Sequence, residues 1–183
     1  RSEQWEAGFK YAGGGYDAGV ALFRVERPFA YADEQDNVFR EQGLQVNHGL
    51  ELTLSGDLAS GLSAFGGVTL LDPRLRDTVK ASTADKRVVG APKVQANVLL
   101  EYAVPGVSGL VVSGNAHYTG KRAANDTNSV WVDSYATLDL GARYSSRLMG
   151  RKVVWRLGVN NVTDKRYWAS IFPGNVNGTD GGA

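Results

Sequence analysis

GLQVNHGLELTLSG, residues 43–56, decides the fold class. Leu44, Val46, Leu50, Leu52 and Leu54 fall on one side of an extended chain; Gln45, Asn47, Glu51, Thr53 and Ser55 fall on the other. Successive side chains of a strand point to opposite faces, so a period of two marks a strand with one apolar face. The same reading extends outward in both directions. Residues 4–11 place Trp5, Ala7, Phe9 and Tyr11 opposite Gln4, Glu6, Gly8 and Lys10. Alternation recurs over residues 93–102, 110–118, 135–145 and 152–160, and less cleanly over 16–27 and 62–71. That predicts about eight strands and no amphipathic helix.

The links between these segments alternate in length. Residues 12–15, 57–61, 105–109 and 146–150 are short and turn-like, while residues 28–37, 72–92, 119–130 and 169–183 are longer and more polar. Tight turns on one rim and long links on the other describe an up-and-down antiparallel meander, the pattern of outer-membrane barrels. The polar face carries many small and amide residues, including Asn97, Ser113, Asn115 and Gly141, which suits a wet lumen packed against something else. Tyr11, Tyr102, Tyr118 and Tyr144 stand at strand ends on the apolar face, where a membrane girdle places aromatics. A soluble barrel, sandwich or lectin-like module with tyrosines at its rim is the competing reading.

Composition removes whole classes of chemistry. With no cysteine among 183 residues there is no disulfide, cysteine–zinc site or thiol nucleophile. A formal net charge of +1 gives no electrostatic case for nucleic acid. No apolar run approaches the ~20 residues of a spanning helix. Residues 12–15, AGGG, lack the lysine and helix of a phosphate loop. His48 and His117 are the only histidines, so a two-histidine metal site or a hydrolase built on His117 has little support. Residues 33–37 and 175–182 faintly suggest calcium loops but lack the ligand pattern, and the sequons at Asn125, Asn161 and Asn177 are of the kind that arises by chance in asparagine-rich turns. No enzyme and no resident cofactor is expected. The aromatic and cationic residues of the long links suit capture of a flat or anionic ligand.

Several phrases in order resemble the TonB-dependent siderophore receptors of Gram-negative outer membranes. Residues 43–56 are similar to a family strand with glycine at both ends and a central glutamate. Residues 61–72, GLSAFGGVTLLD, resemble the following strand, and VGAPK at 89–93 a re-entry into the next. Residues 158–168, GVNNVTDKRYW, resemble an asparagine–aspartate–lysine–tyrosine motif near the family's C-terminus.

The resemblance implies about eight strands of a ~22-strand transmembrane barrel. It also implies that residues 1–183 are a C-terminal portion without the plug domain, the earlier strands or the final strand. Partners would be a ferric siderophore, carrying iron only as cargo, the receptor's own plug, the TonB complex and outer-membrane lipid. Cobalamin, haem or a sugar are alternative nutrients, and a complete eight-strand anchor or adhesin is an alternative architecture. Tyr31, Lys121, Arg122, Trp131, Trp168 and Phe172 are expected at the ligand-facing rim. Glu51, Glu101, Asp139, Arg143 and Arg156 are expected to face the plug. Counting ~3.3 Å per residue from Lys152 at ~45° tilt, the strand leaves the apolar band near residues 160–163. Tyr167 and Trp168 are then expected at the outer rim, facing lipid or ligand.

Overall fold

The computed structural model describes residues 1–32 and 38–172. Among the described residues ten strands run in chain order: β1 (Glu3–Gly13), β2 (Tyr16–Ala32), β3 (Phe39–Ala59), β4 (Leu62–Arg76), β5 (Val94–Ala103), β6 (Leu110–Thr119), β7 (Arg122–Ala123), β8 (Trp131–Val132), β9 (Tyr135–Leu148) and β10 (Arg151–Val159). A single 3₁₀ turn, Ala81–Thr83, is the only helical element among the described residues.

Eight strands form one antiparallel sheet in the order β1-β2-β3-β4-β5-β6-β9-β10, and β7 pairs with β8 in a separate two-stranded ribbon. Each strand of the large sheet therefore neighbours the one before it, as the alternation of link lengths predicts. β1 and β10 stand at opposite edges and do not pair with each other. The sheet is an open arc, which removes the complete eight-strand barrel as an architecture for these residues.

Short turns lie on one rim. Gly14 and Gly15 join β1 to β2 at φ 65° and 91°, and two consecutive positive φ values are what a two-residue hairpin of matching twist requires. Met149 and Gly150 repeat the arrangement between β9 and β10 at φ 51° and 76°.

Register assigns every side chain to a face. Glu51 lies across from Ala21 and Thr69, Thr69 from Gln95, and Asn97 from His117. His117 then lies across from Thr137, and Arg143 from Arg156. These residues share the polar face. The apolar face carries Leu22, Leu50 and Leu70 in one row, and Leu62, Tyr102, Val112, Ala142 and Leu157 in another. It is strongly exposed: Trp5 and Phe9 are each 68% accessible and Leu157 72%.

β2, β3 and β4 overrun the predicted strands and continue well past their last apolar-face leucines. The expected link at residues 72–92 is strand as far as Arg76: there the alternation reverses phase, with Asp72, Arg74 and Arg76 on the apolar-face side and buried Pro73 and Leu75 on the other, so a proline among charges reads as a link. Bulges at Pro28/Ala30 and Asp57/Ala59 shift the register locally.

Candidate functional site

Three segments meet at the long-link end: residues 77–93, 120–134 and 160–172. Asn128 brackets the first two. Its Oδ1 accepts from the Arg87 amide at 2.6 Å, and its Nδ2 donates to the Arg87 carbonyl at 2.9 Å. The Asn128 backbone carbonyl accepts from Trp131 Nε1 at 2.7 Å. Asn128 sits at φ 56°, a left-handed conformation that asparagine tolerates. Gly90 adds a main-chain bond to the Ala123 carbonyl at 3.0 Å.

Arg122 ties the third segment down. Its guanidinium donates to the main-chain carbonyls of Trp168 and Ala169 and lies 5.6 Å from the Tyr135 ring centre. Tyr135 stacks on Tyr167 at 4.0 Å with planes 16° apart, and His117 lies 5.9 Å from Tyr135. Below them Asp139 accepts from the Asn161 amide at 2.7 Å, and Val162 donates to the Leu138 carbonyl at 2.8 Å. Asn161 and Asp164 both have φ 49°, and the chain reverses there. The segment after β10 thus folds back over the polar face. Tyr167 stays at the long-link end, where it was expected, and turns inward to stack on polar-face Tyr135.

A small apolar cluster closes the other side of the mouth. Phe29, Tyr31, Leu75 and Val88 are buried together with Ala91 packed against them. Lys80 lies 5.1 Å from the Tyr31 ring centre. Burial raises the Asp126 carboxyl above the usual carboxylate range, and the charge of Lys80 opposes that shift.

The predicted rim residues separate into distinct environments. Tyr31 and Arg122 are only 6% and 4% exposed, so they hold the mouth together and present little surface. Trp168 and Phe172 are exposed. Trp131 pairs with no polar-face residue: in the β7–β8 ribbon Arg122 lies across from Val132, and Ala123 from Trp131, so Trp131 projects opposite to Arg122. Lys121 accompanies it, 5.2 Å from the same indole.

All five predicted lumen residues, Glu51, Glu101, Asp139, Arg143 and Arg156, do share the polar face. Arg143 reaches Glu101 at 3.8 Å, and Asn115 Nδ2 donates to Asp139 at 3.4 Å. His48 lies across from Asp72 on the apolar-face side, opposite to His117, so the two cannot share a metal. Among the described residues no cluster of three metal-ligating side chains occurs. Asn125 and Asn161 both spend their side-chain amides on local turns. Residues 33–37 and 175–182, and the sequon at Asn177, lie outside the described residues.

Asn128, Tyr135 and Arg87 carry the mouth geometry without a role predicted from the sequence. Polar clusters such as NDTNS at 125–129 signal side-chain-bonded turns, but no periodicity says which strand a turn leans on.

A family model described as TonB dependent receptor-like, beta-barrel, matches residues 1–162. The chain is 33% identical over 170 residues to a ferrichrome receptor of Yersinia enterocolitica, covering 93% of this chain and 22% of the receptor. It is 29% identical over 176 residues to a ferrioxamine B receptor of Salmonella typhimurium, covering 93% and 25%. The chain therefore spans about a fifth to a quarter of these relatives' length. Among solved structures it matches the ferric preacinetobactin receptor of Acinetobacter baumannii with TM-score 0.83 and 32% identity, over 92% of this chain and 26% of that one. The siderophore receptor PiuA of the same organism matches with TM-score 0.76 and 25% identity, over 91% and 25%. Match, register and topology agree, and the chain belongs to the TonB-dependent receptor family, of whose β-barrel it is a part.

Proposed function

We propose that this chain is a section of the barrel wall of a receptor that takes up ferric siderophores across the Gram-negative outer membrane, driven by TonB. The two-faced sheet is the observation that carries this reading. Its apolar face, exposed from Trp5 to Leu157, has no protein layer over it among the described residues, as lipid-facing strands require. In β4 the apolar-face run from Leu62 to Leu70 rises roughly 20 Å along the membrane normal at 35–45° tilt, which with bordering side chains fits the ~25 Å apolar band of such barrels.

The opposite face lines the lumen. Glu51, Glu101, Asp139, Arg143 and Arg156 would contact the plug, which releases the path when TonB pulls on it. Iron is cargo, carried as its siderophore complex. Exposed Trp168 and Phe172 are the rim residues best placed to meet ligand, held there by the Arg122 and Tyr135–Tyr167 contacts beneath. The names of the relatives, which are receptors for ferrichrome, ferrioxamine and preacinetobactin, favour a siderophore over cobalamin, haem or a sugar.

A strain lacking the intact gene, grown under iron starvation on a panel of ferric siderophores, tests the assignment. Growth should fail on at least one and return with the gene. Normal growth on every siderophore supplied would overturn it.

A further inference from the structure

A second surface lies on the outer side of the same loops and faces away from the lumen. Residues 85–88 extend the sheet alongside β4: Leu75 donates to the Lys86 carbonyl at 2.8 Å, Val88 to the Pro73 carbonyl at 3.2 Å, and Arg74 pairs with Arg87. Paired residues of adjacent strands point to the same side. Arg74 follows Leu70 and Asp72 on the apolar-face side of β4, so Arg87 projects there too. The β7–β8 register independently sends Trp131 away from Arg122, which lies against polar-face Tyr135. The two assignments agree, because Arg87 and Lys121 lie 5.1 and 5.2 Å from the one Trp131 ring centre.

Charge on this side is unbalanced in a specific way. Arg24 pairs with Glu26, Arg74 with Asp72 and Arg76 with Asp85. Arg87 and Lys121 form no ion pair among the described residues. The site is also preorganised: Trp131 Nε1 is held by the Asn128 carbonyl, and Asn128 grips both backbone polar groups of Arg87. Its height is that of the outer edge of the headgroup layer. Arg74 lies four residues beyond Leu70, roughly 9 Å along the normal at ~45° tilt. The polar headgroup layer occupies about 5–8 Å beyond the hydrocarbon core. A tryptophan at that level sits where amphipathic rings are favoured.

We propose that Trp131, Arg87 and Lys121 form a docking site for the phosphate-bearing headgroup of an outer-leaflet glycolipid. The site rests on the membrane reading given above. Continuity with the apolar band selects a lipid over a soluble anion: the acyl chains of a bound glycolipid would lie along Leu70 and its neighbours while its phosphates met Arg87 and Lys121. The indole offers a flat surface against which a sugar ring can pack.

Native mass spectrometry of the full-length receptor in detergent tests this. It is titrated with a bisphosphorylated glucosamine-disaccharide glycolipid, with the dephosphorylated form, and with inorganic phosphate as competitor. The unmodified receptor should prefer the phosphorylated lipid, and Arg87→Ala/Lys121→Ala should bind it roughly 30-fold more weakly, from about 1 kcal/mol per basic residue at an anionic surface. Should the double variant not fold, Lys121→Ala alone should lose about fivefold on the same basis. Equal binding by receptor and variant, or equal binding of both lipid forms, overturns the site. Effective competition by millimolar phosphate assigns it to a soluble anion and overturns the lipid proposal. Loss of siderophore binding with lipid binding unchanged also overturns it. Failure of the full-length receptor to fractionate with outer membranes would sink the underlying function instead.

Discussion

Removing the Arg122 guanidinium should open the mouth without unfolding the wall. Arg122 is almost wholly buried and donates to the carbonyls of Trp168 and Ala169 across a chain separation of more than forty residues. Hydrogen bonds from a charged donor contribute about 1.5–3 kcal/mol each, and the face contact with Tyr135 adds about 0.5–2 kcal/mol. Against this stands the desolvation of a cation with no carboxylate partner among the described residues, which costs several kcal/mol. The balance for Arg122→Ala is a loss of about 2–3 kcal/mol, felt where the bonds end, in residues 160–172. Hydrogen exchange of the full-length receptor reads this directly. Amides of Val162, Asp164 and Lys165, each bonded within or beneath that segment, should exchange roughly 30- to 150-fold faster, by the factor of ten per 1.4 kcal/mol. Strands β3 and β9 should keep their protection. Arg122→Lys, a point charge in place of a fork, should fall between. Unchanged exchange in residues 160–172, or an equal loss of protection in β3, would refute the latch.

Gly49 lies across from Phe23, whose ring atoms come within 2.1 Å of where a Cβ would stand. Gly49→Ala should therefore force the ring out of place and cost about 1–3 kcal/mol, seen as a lower unfolding midpoint in detergent. Gly49→Ala/Phe23→Ala should recover part of it. Asp139→Ala strips the Asn161 amide of its acceptor, and exchange at Asn161 should rise by about an order of magnitude with β10 unaffected. Asp126 has a folded pKa raised by burial above its usual 3.8. A raised carboxyl favours the folded loop below the unfolded pKa, and that contribution is lost as pH rises through the folded value. Protection of residues 120–134 should accordingly increase on acidification from neutral pH, and Asp126→Asn should give the acid-state protection throughout. An identical pH dependence in the variant would remove Asp126 as its cause.

Strands and their faces were legible from sequence because they obey one rule, a period of two set by the pleat. Glu51, Glu101, Asp139, Arg143 and Arg156 share a face for that reason alone. The rule stops where the strand stops. Lys121 and Arg122 are adjacent in sequence, yet one accompanies Trp131 and the other turns to Tyr135. The direction is set by the two-residue pairing of β7 with β8, too short to show any period. Tyr167 is a similar case. Its inward turn follows from positive φ at Asn161 and Asp164 and from an amide captured by Asp139, twenty-two residues earlier in the chain. Polar strand tips were misread for a different reason. Above the apolar band the charged residues Asp72, Arg74 and Arg76 take the outer face while Pro73 and Leu75 are buried on the other, so Asp72–Arg76 looks like a loop although it stays in register with β3.

Those overrunning tips give the mouth two sides of unequal stiffness. Along β2, β3 and β4 it is a parapet of continuous strand ladder, anchored by the Phe29–Leu75 cluster. Around β5, β6, β9 and β10 the ladder ends close to the band, and the mouth continues as linked loops pinned at Asn128, Arg122 and Asp139. Deformation on passage of a bulky cargo would concentrate on the second side, where a few side-chain bonds yield before any strand must part. The wall would thus resemble a door beside a rigid jamb, stiff from β2 to β4 and yielding from β5 onward.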